Sequence, residues 1–209
     1  MIQSCYAFLE TDSEEMTGMD LRKYLHYLFA NDLEFSRAQK AFEYKYPLIQ
    51  YKSVNERLLV LGLNEYSKLI FNKLSRLDDI VSKKEKHSIT SVEFKNETFE
   101  VKNEDTEYEF LSPCILLNKK NYSEYKTLKE DKRDEFLEKI LVGSFLSTLK
   151  GLGVRVDYQV KVEIKEMRSG VIKVEGTTWD NEFVGFLGTI SSNVSLPNYV
   201  GIGKTQKRL

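Results

Sequence analysis

Few side chains in this sequence can move a proton near neutral pH. There are two histidines, His26 and His87, and an unperturbed imidazole titrates near about 6.5, so either can act as base or acid at physiological pH. Cys5 and Cys114 stand apart in apolar surroundings with no CxxC spacing. They support neither a zinc site nor a disulfide and read as core residues, so no metal or other cofactor is expected. A second pattern lies near the end, where Gly201, Gly203 and Lys204 are followed by Lys207 and Arg208. Glycines let backbone N–H groups approach a phosphate without side-chain interference, and a following lysine adds a point charge. The same pair can instead simply turn the chain after its last strand. Tyr199, beside it, offers a ring for stacking.

The elements that must position these groups follow from hydrophobic periodicity. Met1 to Leu9 reads as a strand. Leu21, Tyr24, Leu25, Leu28 and Phe29 mark one face of a helix, which puts Arg22, Lys23 and His26 on its solvent side. Tyr44 to Tyr51, with Pro47 restricting it to an edge, and Leu58 to Leu63 read as a hairpin. Alternation sets Tyr44 and Tyr46 on one face and Tyr51 on the other. Tyr66, Leu69, Ile70, Leu74 and Leu77 give a second helix, and the charged run Lys83 to Lys86 marks a boundary, with His87 in a loop beside it.

In the second half, Ile89 to Phe94 and Thr98 to Val101 suggest a hairpin, followed by an apolar strand Phe110 to Leu117. A long helix carries Phe136, Leu137, Ile140, Leu141, Phe145 and Leu149 as its buried stripe, with Asp131 at its start and Gly151 and Gly153 at its end. Val154 to Ile164 alternates without a break and reads as a strand, as do Val171 to Val174 and Phe183 to Val194. The two halves share an element order, which permits a tandem α+β architecture.

Composition narrows the classes further. With 41% hydrophobic residues, 30% charged residues and three prolines in 209, the chain is that of an ordered protein. No segment approaches the roughly 18 apolar residues of a membrane span, and Met1 to Glu10 lacks the features of a secretory signal, so a cytoplasmic protein without a membrane partner is expected. The formal net charge of -1 excludes nucleic-acid binding through overall charge. Any basic site must be local, and the acid-free stretch after Glu182 is the most positive segment.

Three stretches carry a resemblance. The first is Tyr44-Lys45-Tyr46-Pro47-Leu48-Ile49-Gln50-Tyr51-Lys52, followed by Val60-Leu61-Gly62-Leu63-Asn64-Glu65. The second runs from Tyr108 through Ser112-Pro113, Leu116-Leu117-Asn118 and Asn121-Tyr122 to Lys150-Gly151-Leu152-Gly153. The third is Leu196-Pro197-Asn198-Tyr199-Val200-Gly201-Ile202-Gly203-Lys204. In this order and at these distances they resemble the CRISPR-associated endoribonucleases that process repeat RNA into guide units, within the RAMP superfamily, over nearly the whole chain. The resemblance implies an α+β protein of two ferredoxin-like, RRM-related domains, placed at 1-85 and 86-209.

It also implies binding of a CRISPR repeat RNA hairpin, metal-independent cleavage leaving a 2',3'-cyclic phosphate, and retention of the cut hairpin alongside other effector-complex subunits. That chemistry needs a base for the 2'-OH proton, an acid for the leaving oxygen and a cation at the phosphate. This branch places histidines shortly before the YPLIQYK-like motif, whereas Glu34 to Glu43 holds none. The candidates left are His26 and Tyr44 for proton transfer and Arg37 and Lys40 for the phosphate, with Gly201, Gly203, Lys204, Lys207, Arg208 and Tyr199 for RNA binding. The alternatives are a catalytically inactive RNA-binding scaffold of the same fold and a plain protein-interaction domain. Replacing Lys204, Lys207 and Arg208 together by alanine is expected to weaken RNA binding and to flatten its dependence on salt, read from affinities across a salt series; an unchanged slope would remove these residues from the interface.

Overall fold

The structure, a computed structural model, describes residues 1–13, 15–35, 46–173 and 182–202. The chain divides into two compact units, Met1–Glu100 with Pro197–Val200, and Val101–Leu196 with Gly201–Leu209. Each is a mixed helix and sheet unit with an antiparallel sheet, and together they form the tandem ferredoxin-like α+β fold.

The first unit runs β1 (Ile2–Thr11), α1 (Gly18–Leu28), β2 (Ile49–Val54), β3 (Arg57–Leu63), α2 (Tyr66–Leu74), β4 (Asp79–Ser82) and β5 (Glu85–Phe99). Its sheet has the order β2-β3-β1-β5-β4. Alternation along β1 sends Cys5, Ala7 and Leu9 to one face, where they form a buried core with Leu58 and Val60 of β3, Leu21 and Leu25 of α1, and Leu69, Ile70 and Leu74 of α2. Tyr6 and Phe8 point to the other face. Thr17 and Asp20 close a capping box that starts α1. Gly62 lies inside β3 and does not end it; a Cβ there would sit 2.6 Å from the Tyr66 carbonyl oxygen, so its bareness lets α2 return close over the strand.

Three expectations for this unit change. Ile89 to Val101 is not a hairpin, because β5 is one strand that pairs with β1 from Ile89 to Phe99. The Lys83 to Lys86 run is not a boundary: Lys83 and Lys84, at φ 51° and 72°, form the two-residue turn joining β4 to β5. His87 therefore lies in a strand, opposite Ile80, and not in a loop. Since β5 completes the first sheet, the division falls at residue 100 and not at 85.

The second unit contains β6 (Thr106–Glu109), α3 (Lys119–Thr127), α4 (Glu130–Gly151), β7 (Val162–Lys173) and β8 (Glu182–Ser192), with sheet order β6-β8-β7. Leu137, Leu141, Phe145 and Leu149 of α4 are buried as the stripe required. Gly153, at φ 75°, ends the helix in a Schellman motif: the Val154 N–H donates to the Leu149 carbonyl at 2.9 Å and the Gly153 N–H to that of Lys150 at 3.2 Å. The strand expected from Val154 begins only at Val162. Before it, the Asn193 side chain takes the place of a partner strand, accepting from the Lys161 N–H at 2.7 Å and donating to the Gln159 carbonyl at 3.0 Å. The strand expected from Phe110 to Leu117 reduces to a single bridge between Cys114 and Phe186, with Pro113 beside it unable to donate.

Among the described residues, two hairpin turns hold non-glycine residues in the left-handed region, Lys83-Lys84 and Asn55-Glu56, the latter at φ 49° and 63°. Replacing Lys83-Lys84 by Asn-Gly, the pair that suits this turn, is expected to raise stability by about 1 kcal/mol. A higher urea midpoint with an unchanged slope would establish this.

Candidate functional site

Helix α1 carries Arg22 and His26 one turn apart, next to the buried stripe of Leu21 and Leu25. His26 does not stand free in solvent as expected. Its ring is half-buried, edge-on to Phe35 at 6.4 Å and to Tyr51 of β2 at 6.2 Å. Phe29, at the C-cap of α1, packs against Phe35 in the helical stretch that follows, with ring centroids 5.1 Å apart, and the imidazole is drawn into that contact. Burial, and then the charge of Arg22, push its pKa down to about 4. At pH 7 only about one imidazole in a thousand then carries a proton. His26 is therefore a neutral proton acceptor and a negligible acid. The Tyr51 hydroxyl is buried without a hydrogen-bond partner among the described residues, and burial raises its pKa far above neutrality. It stays a phenol.

The glycine-bearing loop is prepared by the residues before it. The Tyr108 hydroxyl donates to the Val194 carbonyl at 2.6 Å and accepts from the Leu196 N–H at 2.7 Å. Ser195 exchanges bonds with Lys102, its N–H donating to the Lys102 carbonyl at 3.1 Å and its Oγ accepting from the Lys102 N–H at 2.7 Å. The resemblance motif that opens at Tyr108 thus has a physical task, holding the chain that enters the loop. Further on, Tyr199 adopts φ 59°, a conformation a bulky residue rarely takes, and its ring meets Tyr6 at 6.0 Å and Phe8 at 5.8 Å, both edge-on.

Of the ten residues singled out from the sequence, His26, Tyr199 and Gly201 are described. Arg37, Lys40, Tyr44, Gly203, Lys204, Lys207 and Arg208 lie outside the described residues. His26 and Tyr199 belong to opposite faces of the first sheet, since α1 packs on the Cys5 and Ala7 side while Tyr199 meets Tyr6 and Phe8. They are not one constellation. Sequence reasoning missed a cleft of about 280 Å³ beside Tyr199, lined also by Phe8, Arg57, Glu93, Lys95 and Glu97. Phe8, Arg57, Glu93, Lys95 and Glu97 come from three strands, joined by Val54 and Asn55 of the β2–β3 hairpin and by Asn198 and Tyr199 of the loop, and only the common parity of the strand residues across the β1 registers would have grouped them.

Two family models account for the chain end to end, the Cas6b N-terminal domain over residues 1–100 and the Cas6b C-terminal domain over 100–208. The chain belongs to the Cas6b family. A solved structure described as Cas6b superposes with a TM-score of 0.84 at 26% identity, covering 98% of this chain and 94% of that one. Another, a CRISPR RNA processing endoribonuclease Cas6b, gives a TM-score of 0.70 at 24% identity over 97% and 96% of the two chains, a likeness of fold. An uncharacterized protein of Methanocaldococcus jannaschii is 46% identical over 110 residues, 53% of this chain and 72% of the relative. The models of the Cas6b halves meet at residue 100, where β5 has just completed the first sheet.

The environment of His26 has a consequence for stability. The native imidazole titrates at about 4 and the unfolded one near about 6.5, so as pH falls from 6.5 toward 4 the unfolded chain takes up a proton that the native state refuses. Stability contributed by the neutral ring is full above pH 6.5 and is lost across that window. The urea midpoint of the wild type should drop more between pH 7 and pH 5 than that of His26→Gln; equal drops would mean that the ring is solvated.

Proposed function

We propose that this Cas6b-family protein binds a CRISPR repeat RNA hairpin, cuts it once per repeat without a metal, and remains on the cut hairpin as a subunit of a cytoplasmic effector complex. The observation that carries the reading is the match of both Cas6b domains across the whole chain. In the proposed step the 2'-oxygen attacks the adjacent phosphorus while a base takes its proton. The bond from phosphorus to the 5'-oxygen breaks, and a proton is delivered to the leaving oxygen, giving a 2',3'-cyclic phosphate and a 5'-hydroxyl.

His26 suits the first transfer, since it is neutral at pH 7, but not the second. The proton for the leaving oxygen then comes from another group or from water, with Tyr44 as a candidate and Arg37 or Lys40 as the phosphate cation. A missing acid costs about 100- to 10,000-fold in rate, which still leaves a single-turnover processor. The second reading is a non-catalytic scaffold. It is favoured by the same observation about His26, because a ring held at a pKa of about 4 is a weak base, and the segment Glu34 to Glu43 supplies no other histidine.

The deciding experiment incubates the repeat hairpin with excess protein in EDTA and analyses the product ends. Slow cleavage to a cyclic phosphate is expected. With His26 as base, kcat/KM of the free protein should rise with pH through about 4 to 5 and then level, and His26→Ala should nearly abolish cutting. With Tyr44 as base, the rate should keep climbing above neutrality and Tyr44→Phe should be the damaging change. Tight binding without product over hours would establish the scaffold reading, and a requirement for magnesium would overturn the mechanism.

A further inference from the structure

The cleft beside Tyr199 is built unlike a phosphate site. It opens on the face of the first sheet that carries Tyr6 and Phe8, between the β1, β3 and β5 strands, with Tyr199 closing one side. Arg57 spreads its guanidinium over the Phe8 ring, 5.0 Å from the centroid, and pairs through Nη2 with Glu93 at 2.8 Å. Its Nε lies 3.2 Å from Glu10 but in no hydrogen bond among the described residues, and is buried. Lys95 pairs with Glu97 at 2.6 Å. The two cations are thus matched or exceeded by carboxylates, so a phosphate would meet repulsion as well as attraction. A phosphate cradle would hold an excess of positive charge.

What remains is a small, ring-walled space edged by alternating donors and acceptors. That is the complement of a nucleobase, whose faces stack on aromatic rings and whose edge carries both kinds of group. A carboxylate accepts from two neighbouring N–H groups at once, and among the four RNA bases only guanine presents such a pair, N1–H and N2–H, on its pairing edge. Adenine and cytosine place an acceptor beside their amine, and uracil flanks its single N–H with carbonyls. Glu93 is 64% exposed and Glu97 31%, so both carboxylates can turn to a ligand. The volume of about 280 Å³ is at the small end for a ligand cleft and suits one base. The left-handed backbone of Tyr199 is what brings its ring to Tyr6 and Phe8, and strain of this kind in a bulky residue accompanies sites where a side chain must be held in place.

From these observations we propose that the cleft takes one unpaired base of the bound RNA, guanine in preference to the others, stacked against the Tyr199 ring and read by Glu93 or Glu97 with Arg57 and Lys95 at its acceptors. The inference rests on the RNA-binding reading above and adds to it a base-reading site on the sheet face opposite His26.

The test uses the whole protein and single-stranded RNA hexamers, one of uridines only and three others with a single G, A or C in the middle, followed by fluorescence anisotropy. The guanine hexamer should bind several-fold more tightly than the other three. Glu93→Gln with Glu97→Gln should erase that preference, so that the four hexamers bind alike and, with two negative charges removed, the uridine hexamer more tightly than to the wild type, and Tyr199→Leu should weaken all four by about tenfold. Both variants replace groups that are exposed or at the loop, and their melting curves show whether they are folded. Equal binding of the four hexamers by the wild type, or a preference that survives the double glutamine variant, would overturn the proposal. Binding of the repeat hairpin is measured alongside: a protein that holds the hairpin but ranks the hexamers equally loses only this inference, whereas one that binds neither loses the RNA reading as well.

Discussion

Everything assigned to the first unit depends on the pairing register of β1. This strand is bonded on both sides, to β3 and to β5, so its alternation is imposed on the whole sheet: Cys5, Ala7 and Leu9 go to the helices, Tyr6 and Phe8 to the opposite face. A slip of one residue would exchange the two sets, burying Glu10 among the helices and exposing the apolar core. The fully buried Cys5, Ala7 and Leu9 oppose such a slip. By holding that register, hydrophobic burial also decides which chemistry is available on each face. The helix side offers a half-buried histidine, and the other side an aromatic cleft with paired charges.

The position of His26 shows how packing and reactivity oppose one another. An imidazole left in water at the end of a helix would hold a pKa near or above its usual value, helped by the negative end of the helix dipole. Here contact with Phe35 and Tyr51 removes water from the ring, and Arg22 adds a like charge one turn away. Desolvation is the larger effect. The result is a base that is always ready to accept a proton at neutral pH but accepts it weakly, so a rate supported by His26 must draw on positioning and on charge at the phosphate. A bound phosphate diester near Arg22 would act in the other direction, cancelling the arginine charge.

Strong periodicity made the larger elements legible. The stripes of α1, α2 and α4 and the apolar runs of β1 and β3 could be read directly, since each buries a face whose period nothing else reproduces. The errors arose where a local signal was overridden by a distant partner. Lys95-Asn96-Glu97 looks like a turn, yet β1 lies alongside and supplies the ladder bonds, so the strand continues. Val154 to Val160 looks like a strand, yet no strand among the described residues pairs with it, and it is held instead by the helix-ending bond of the Val154 N–H and by the Asn193 side chain at the Gln159 carbonyl. The Lys83-Lys84 turn carries neither glycine nor asparagine and so gave no sign of its left-handed backbone. For the candidate site, residue types were legible and environments were not. His26 was visible as a histidine, but its burial depends on Phe35 and Tyr51, which approach only after folding.

The charge balance of the chain finally bears on how an RNA could be recognised by a protein that is not basic. With 31 lysines and arginines against 32 acids, nonspecific attraction is weak, and affinity must come from segments where charge is uneven. The stretch beyond Glu182 is free of acids, and contacts from such a segment are to phosphates, insensitive to sequence and weakened by salt. Groups like Glu93 and Glu97 work in the reverse sense: they lower affinity for any backbone phosphate and act favourably only where a base presents donors to them. A protein with both kinds of segment separates holding from reading. On the reading proposed for the cleft, its acids near Tyr199 would be the means by which an unpaired base is told from the backbone that carries it.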